Sequence, residues 1–363
     1  MPANVTDLPN DPEAIKYKKP PQYYFEWQKT QKIPIHDTFF LESLEKAELQ
    51  PWELFGGKGC FVNLTDSFLV GSFILEIPPG QSLKPMHHLF EAQVYVISGH
   101  GQTTIQQRGQ PATRINWQKR SLFSPPLNTT YQHHNMDSEA PARLLVVNNA
   151  PLIMSLFHDE EFVFNDTYAF TKRYDGAEDY FTKPAEYLGS RLARVNFIRD
   201  VNKMDLYDWE IRGKGAKTTF LTLSSNTLAA HVSSFDVGTY KKAHRHGAGA
   251  HVVMLNGSGY SLLWKDGEPR QRVDWTAGTM FAPPEWAWHQ HFNTSGEPAR
   301  YLAIRNNNPE HPLRMGLPSF RNGEGTQFGG TQIEFADEDP EIYETYAQEL
   351  KKNGVQIRQE PPR

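Results

Sequence analysis

The chain has 363 residues, one cysteine and a formal net charge of −5, from 37 basic and 42 acidic residues. This length favours two domains, and the acidic balance argues against a nucleic-acid-binding face. A single thiol excludes an internal disulfide and is typical of a reducing compartment, so we predict a cytoplasmic protein in which Cys60 is a buried structural thiol. The sequence contains no run of about 18 apolar residues, so it predicts no membrane-spanning helix.

In chain order, the predicted elements are short strands with helices only near the two ends. An amphipathic pattern over 37–49 predicts a helix with Asp37 as its N-cap. A second helix is predicted over 340–353, with Pro340 in its first turn and Gly354 after its end. Between them, β-branched and aromatic runs bounded by Gly and Pro predict strands. These runs are 72–77, 93–97, 144–147, 251–255, 260–264 and 301–304.

An internal repeat divides the chain into two copies. The stretch 80–101 matches 238–259, and Trp117 matches Trp275, at a constant offset of 158 residues. Short strands at regular spacing with turn signals favour a barrel or a sandwich in each copy. We therefore predict an N-terminal arm and helix over 1–66, a first barrel over 67–158, a connector over 159–219, a second barrel over 220–310, and a tail with a helix over 311–363.

The second copy contains two pairs of closely spaced histidines. His244 and His246 are two residues apart, a spacing that on a strand puts both imidazoles on one face. His289 and His291 repeat this spacing further along the chain. Two imidazoles from one strand need at least one more ligand to hold a metal, and the second pair can supply it.

These histidines resemble the ligands in the two sequence motifs of the cupin superfamily. Eight residues match the motifs at the expected spacing, namely Gly238, His244, His246, Gly257, Gly278, Pro284, His289 and Asn293. Trp286 stands where the second motif usually has glycine. The resemblance implies an all-β chain of two cupin (jelly-roll) barrels in tandem with helical segments at the edges. It also implies a metal bound by His244, His246 and His289.

The glutamate position of the first cupin motif falls on Ala250, so the sequence offers no carboxylate ligand there. Three neutral imidazoles leave a divalent metal its full charge and about three open positions. This set suits a bidentate substrate plus dioxygen on Fe(II), and it suits oxalate-type manganese chemistry less well. Fe(II) is therefore the expected cofactor, with Mn, Ni or Zn as the alternatives.

Two further histidines lie close to the predicted ligands. His291 shares the face of His289 if the strand continues, which predicts a catalytic role in proton transfer or hydrogen bonding. His251 is one residue past the glutamate position, so alternation turns it to the opposite face, in the barrel wall or an interface. Whether His251 contributes to the site is left open by the sequence.

Four residues are candidates for the wall of a substrate pocket: Trp286, Trp288, Val252 and Arg305. The two tryptophans are equally compatible with a place in the core.

The first copy has lost most of the metal-binding pattern. Met86 and Tyr131 stand at the positions of His244 and His289, so no triad of ligands remains there. We expect this barrel to persist as a packing partner.

Within the cupins, segments 244–259 and 284–293 resemble the gentisate 1,2-dioxygenase-like bicupins, which include salicylate and hydroxynaphthoate ring-cleaving enzymes. The resemblance rests on His-Arg-His, on Ala250 at the glutamate position and on Trp-His-x-His-x-Asn. It implies an Fe(II)-dependent dioxygenase that cleaves a hydroxylated aromatic acid, similar to gentisate or salicylate, after the substrate hydroxyl and carboxylate chelate the iron. The expected partners are a small-molecule substrate and O2, in a homodimer or homotetramer.

This sequence departs from that group in two respects. The intact metal motif is in the second barrel, whereas in the group it is in the first. Val252 also stands where the group has an arginine for the substrate carboxylate, which leaves Arg305 or Lys242 as possible replacements. A non-oxidative metal-dependent isomerase, lyase or hydrolase therefore remains an alternative, as does a small-molecule binding protein.

Overall fold

The computed structural model describes residues 22–64, 69–247, 250–306, 308–313 and 331–360. The first half of these residues forms α1 (Tyr23–Thr30), β1 (Ile35–Asp37), β2 (Phe40–Leu41), β3 (Gln50–Trp52), β4 (Gly57–Asn63), β5 (Gly71–Ile77), β6 (Ala92–Ser98), β7 (His100–Gln106), β8 (Thr113–Gln118), β9 (Leu122–Phe123), β10 (Thr130–Asn135), β11 (Ala142–Asn148), α2 (Ala150–Phe157) and α3 (Glu160–Asn165). The second half forms β12 (Glu186–Gly189), β13 (Leu192–Arg194), β14 (Phe197–Ile198), β15 (Tyr207–Asp208), β16 (Lys217–Thr222), β17 (Leu228–Phe235), β18 (His251–Asn256), β19 (Ser258–Trp264), β20 (Gln271–Thr276), β21 (Met280–Phe281), β22 (Trp288–Asn293), β23 (Ala299–Asn306) and α4 (Pro340–Lys352). Short 3-10 helices lie at Glu210–Arg212 and Phe335–Asp337.

The strands form two barrels, each made of one large and one small sheet. In the described residues, the first barrel has an eight-stranded sheet in the order β1-β4-β5-β11-β6-β9-β14, with β3 beside β4, and a sheet β10-β7-β8. The second has a nine-stranded sheet in the order β12-β13-β16-β17-β23-β18-β21-β2, with β15 beside β16, and a sheet β20-β19-β22. The predicted fold class, two jelly-roll barrels with helices at the edges, is confirmed.

The burial pattern of each strand reflects what covers its two faces. In β7 and β8, buried and less buried residues alternate along the strand, as expected when one face of a sheet meets solvent. All seven residues of β5 are buried, because one face lines the first barrel and the other packs against the second barrel.

The large sheets of the two barrels pack face to face. Their shared apolar cluster includes Cys60, Val62, Ile74, Leu145 and Val147 from the first barrel and Leu221, Val232, Val253, Leu302 and Ile304 from the second. Cys60 is fully buried, as predicted, and burial raises the pKa of its thiol to about 12. No helix of the described residues is long and apolar enough to cross a membrane.

Each barrel also receives an edge strand from outside its own repeat. The strand β2, from the segment before the first barrel, pairs with β21 of the second barrel. The strand β14, from the segment between the repeats, pairs with β9 of the first barrel. Both β4 and β16 belong to the large sheets, so the barrels begin earlier in the chain than residues 67 and 220.

One buried carboxylate, Glu91, ties the two barrels together. It is 5% exposed and accepts hydrogen bonds from the backbone N–H groups of Thr227, at 2.9 Å, and Leu228, at 3.1 Å. The Thr227 hydroxyl donates to it at 2.6 Å, and Arg173 at 2.9 Å. Since Glu91 precedes β6 and Leu228 begins β17, this cluster joins the first barrel to the second.

The two predicted helices have different outcomes. The helix predicted over 37–49 is wrong: Phe40 and Leu41 form β2, and the Leu44 N–H donates to Gly278 O at 3.0 Å. The apolar residues of this stretch pack against two separate surfaces, one on the second barrel and one in the inter-barrel core. The strand pairing of β2 therefore overrides the helical pattern. The second helix is confirmed as α4, with the Asp339 carboxylate accepting from the Glu341 N–H.

Candidate metal centre

The backbone brings the predicted ligands together on the inner side of the second barrel. His289 lies on β22, and His244 lies in the extended loop after β17, outside a named strand. The His244 N–H donates to His289 O at 3.0 Å and the His289 N–H returns a bond to His244 O at 2.9 Å. A second bridge, to Gln332, holds His244 from its other side. The loop is therefore fixed in a strand-like conformation, and the two-residue spacing turns His246 toward the same centre.

The three imidazoles have a donor geometry that fits a metal. In each ring, Nδ1 lies 3.1 Å from a backbone carbonyl oxygen, that of Lys242 for His244, Gly247 for His246 and Ala287 for His289. A carbonyl can only accept, so Nδ1 carries the proton and the Nε2 lone pair is free. One ligand atom from each ring lies within 4.8 Å of the other two.

Burial keeps these imidazoles in the neutral form that ligation requires. Desolvation first, and then the charges of Arg212 and Arg305, lower the pKa of His289 to about 4. Desolvation also holds the pKa values of His244 and His246 well below the ordinary value, together with nearby arginine and histidine charges. A metal can thus bind at neutral pH without first displacing protons from the three rings.

The ligands open onto a cavity of about 50 Å³, room for about four water molecules. Its lining residues are Trp209, Arg212, Phe220, His231, Lys241, His244, His246, Ala250, Val252, Pro283, His289, His291, Tyr301, Ala303 and Arg305. Ala250 and Val252 present an apolar wall at the motif glutamate position. None of the described lining residues is an aspartate or a glutamate.

Three basic side chains line this cavity. Lys241 is 2% exposed, and its ammonium donates to Ser233 Oγ at 2.6 Å and to the Tyr301 hydroxyl at 2.9 Å. Arg212 donates to Gln332 Oε1 at 2.8 Å, and burial lowers the pKa of its guanidinium to about 10. Arg305 projects into the cavity from β23. A cavity with this charge attracts an anionic ligand.

His291 lies in the cavity wall beside His289, with 5.7 Å between ring centroids. Its Nδ1 lies 2.8 Å from Ser261 Oγ, which also accepts from the Trp275 Nε1–H at 3.1 Å. Since an indole N–H can only donate, every group is satisfied when the Ser261 hydroxyl donates to Nδ1. His291 Nε2 then carries the proton and is a hydrogen-bond donor.

The first barrel retains this arrangement. His133 Nδ1 lies 2.7 Å from Thr103 Oγ1, which accepts from Trp117 Nε1 at 2.9 Å. All three residues are offset by 158 positions from their counterparts in the second barrel. The metal positions differ, because the Tyr131 hydroxyl lies 2.7 Å from His88 Nε2 and occupies the nitrogen that a metal would use.

The two predicted pocket tryptophans lie outside the cavity lining. Trp288 is the residue before His289 on β22, so alternation turns it to the outer face, where its Nε1–H donates to Asp266 at 2.7 Å. The Arg245 guanidinium lies 4.4 Å from the centre of the same ring. Trp286 has a φ of 60°, in the left-handed region that favours glycine, the residue usual at this position of the second motif. Val252 and Arg305 do line the cavity.

His251 faces away from the metal centre. It is 1% exposed, neither ring nitrogen has a hydrogen-bond partner among the described residues, and burial lowers its pKa to about 4. Val253 and Leu255 follow on the same face of β18, and both belong to the inter-barrel cluster. His251 therefore lies in the wall between the barrels.

Sequence reasoning missed several residues that line the cavity: Trp209, Arg212, Phe220, His231, Lys241 and Tyr301. Tyr301 could have been predicted, because Tyr301, Ala303 and Arg305 lie on the same face of β23 and Arg305 was already a candidate. Arg212 and Trp209 come from a separate 3-10 turn and give no such signal.

No protein-family model matches the chain. It is 31% identical to a gentisate 1,2-dioxygenase of Haloferax sp. over 87 residues, which are 24% of this chain and 24% of that relative. The match thus spans about a quarter of the relative's length.

Solved structures match over most of the chain. A formate complex of Lactobacillus farciminis oxalate decarboxylase matches with a TM-score of 0.52 at 14% identity, covering 85% of this chain and 96% of that one. Bacillus subtilis oxalate decarboxylase, in a structure concerned with its Mn(II) centres, matches with a TM-score of 0.50 at 15% identity, covering 92% and 91%. At this identity the likeness shows the fold alone. The chain has the bicupin fold, and its histidine cluster fits a metal site.

Proposed function

We propose that this protein is an Fe(II)-dependent dioxygenase that cleaves a hydroxylated aromatic acid similar to gentisate or salicylate. His244, His246 and His289 would hold the metal. The observation that carries the proposal is the combination of three neutral ligands with a cavity that has three basic side chains and no acidic one among its described lining residues. The short match to a gentisate 1,2-dioxygenase supports the same chemistry.

The protein residues would bind and orient an anionic substrate. Bound Fe(II) supplies open coordination positions for two substrate oxygens and for dioxygen. The substrate carboxylate would be attracted by Arg212, Lys241 and Arg305. Ala250 and Val252 are uncharged and would not repel it. His291, with its proton on Nε2, would donate a hydrogen bond to a bound oxygen atom.

An aromatic acid is larger than the cavity of about 50 Å³, so the proposal requires the wall to move. Trp209 is the candidate gate, because it is only half-buried and lines the cavity. The guanidinium groups of Arg191 and Arg212 lie 5.3 Å and 5.2 Å from the centre of its ring.

A non-oxidative metal-dependent reaction, by an isomerase, lyase or hydrolase, is the second candidate. It is favoured by the buried contact of the Lys241 ammonium with the Tyr301 hydroxyl, because such a pair can move protons without dioxygen. Binding of a small molecule without turnover is the third candidate. Assembly as a homodimer or homotetramer stays a prediction, which sedimentation analysis can check.

The decisive experiment measures metal content and then oxygen consumption. The wild-type protein, His289→Ala and the control His100→Ala, which alters an exposed histidine of the first barrel, are loaded with Fe(II). We expect near-stoichiometric iron in the wild type and the control, and loss of iron in His289→Ala. Oxygen uptake with a panel of hydroxylated aromatic acids then identifies the substrate. Bound iron without oxygen uptake on any member would move the assignment to the non-oxidative reaction.

A further inference from the structure

Lys241 is a buried cation without an acidic partner. Its ammonium contacts Ser233 Oγ at 2.6 Å and the Tyr301 hydroxyl at 2.9 Å, and no carboxylate of the described residues forms an ion pair with it. The Ser233 hydroxyl is itself engaged, lying 2.9 Å from Lys217 O and 2.6 Å from Thr218 Oγ1. The neutral hydroxyl of Ser233 does not compensate the buried charge of Lys241. Tyr301 is the contact that can, because a phenol is able to ionise.

The other groups facing Tyr301 are neutral or positive. They come from β17, β22, β23 and the 3-10 turn before β16, and they are His231, His291, Arg305 and Arg212. Burial holds the pKa values of His231 and His291 well below the ordinary value, so both rings are neutral. A divalent metal at the three-histidine site would add two further positive charges to the same cavity.

This setting lowers the pKa of Tyr301 below the ordinary value of a phenol. Burial raises the pKa of the phenol, but the charge and hydrogen bond of Lys241, a bond from Ser233 and the charge of Arg212 lower it more, so the net shift is downward. Burial lowers the pKa of Lys241, and the Tyr301 oxygen opposes that shift. Each group of the pair therefore favours the charged form of the other, across a contact of 2.9 Å.

We propose that Tyr301, held by Lys241, is the proton acceptor for the substrate hydroxyl that binds at the His244, His246 and His289 site. The inference rests on the proposed metal-dependent function, in its oxidative or its non-oxidative form. The substrate O–H bond breaks, its electron pair stays on the substrate oxygen, and the proton forms the Tyr301 phenol. Lys241 remains an ammonium throughout. His291 cannot take this role in its satisfied tautomer, because its Nε2 already carries a proton.

The first test needs no turnover. Ultraviolet difference titration follows phenolate formation in the wild type loaded with Zn(II), which is colourless. We expect one tyrosine to ionise at lower pH than the rest, and this step to be absent from Tyr301→Phe. It should persist in the control Tyr260→Phe, which alters a buried tyrosine on the outer face of the same barrel. Lys241→Met should move the step to higher pH, and Lys241→Arg should restore it.

The second test uses the substrate that the oxygen-uptake panel identifies, or a non-oxidative turnover assay. Tyr301→Phe should lower kcat by about 10²- to 10⁴-fold with little change in KM, and should remove the acidic limb of the kcat–pH profile. Tyr260→Phe should leave both unchanged. An early tyrosine step that survives in Tyr301→Phe, or a wild-type kcat and pH profile in that variant, would overturn the proposal. Failure of metal binding or turnover would instead count against the proposed function, because the titration is read independently.

Discussion

Replacing Glu91 by glutamine should weaken the junction between the two barrels. The two carboxylate oxygens divide their partners. Oε2 accepts from Thr227 N, Thr227 Oγ1, Leu228 N and Asn149 Nδ2, whereas Oε1 accepts from Arg173 and shares Thr227 N. A glutamine keeps more of these bonds if its oxygen takes the Oε2 position. Its NH2 group then faces the Arg173 guanidinium, and the charge-assisted bond of 2.9 Å is lost.

The magnitude follows from that one lost bond. A hydrogen bond between charged groups contributes about 1.5–3 kcal/mol, and Arg173 keeps its bond to Asn226 Oδ1 at 2.6 Å. We therefore expect Glu91→Gln to lower the free energy of unfolding by about 2 kcal/mol. Glu91→Ala should cost about 3–5 kcal/mol, because it removes the carboxylate partner of Arg173 and leaves the buried donors of Thr227 and Leu228 without an acceptor.

Urea unfolding followed by fluorescence measures both effects, with Glu186→Gln as the control. Glu186 also pairs with an arginine, Arg194, but its side chain is 62% exposed, so this change should stay within about 0.5 kcal/mol of the wild type. A Glu91→Gln variant as stable as Glu186→Gln would refute the assignment of Glu91 as the tie between the barrels.

Three further changes have definite expectations. Trp209→Ala should raise kcat/KM more for bulky substrates than for small ones, since it widens the cavity entrance; equal effects in steady-state assays would remove Trp209 as the gate. As the pH falls from 8 to 5, the free energy of unfolding of His251→Leu should rise by about 2 kcal/mol relative to that of the wild type. The reason is that burial lowers the pKa of His251 from 6.5 to about 4, so below pH 6.5 the proton binds mainly to the unfolded state. Urea unfolding at both pH values checks this, and a pH-independent difference would contradict it. Asp339→Ala should cost about 1 kcal/mol by removing the N-cap of α4, whereas Asp337→Ala, at an exposed position outside that cap, should not; equal melting temperatures would contradict the cap.

The grouping of the three histidines was predictable because its determinants are local. The spacing of His244 and His246, and the motif around His289, depend on strand alternation and turns that short segments encode. The same logic put His251 on the opposite face, where the structure places it. It also reached Arg305, because β23 alternates along its length.

Features that depend on distant segments were not predictable from the sequence. Lys241, Arg212 and Tyr301 reach the cavity from three separate elements, and no single pattern connects them. The two-residue strand β2 is too short to have a period, so its apolar residues were interpreted as one side of a helix. Trp288 looked like a pocket residue by composition, but Asp266 and Arg245 hold it on the outer face.

The pairing of edge strands from outside each repeat indicates a structural role for the first half of the chain, although its barrel lacks the ligand pattern. β21 of the second barrel is covered by β2, which comes from the segment before the first barrel, and β9 of the first is covered by β14. If the second barrel were produced alone, β21 would present unpaired backbone groups next to the bare apolar sheet that normally meets the first barrel. Both surfaces favour aggregation, so we expect the second barrel produced alone to be less soluble than the whole chain. The first barrel thus covers surfaces that the second cannot cover itself, although among the described residues the three-histidine cluster belongs to the second barrel.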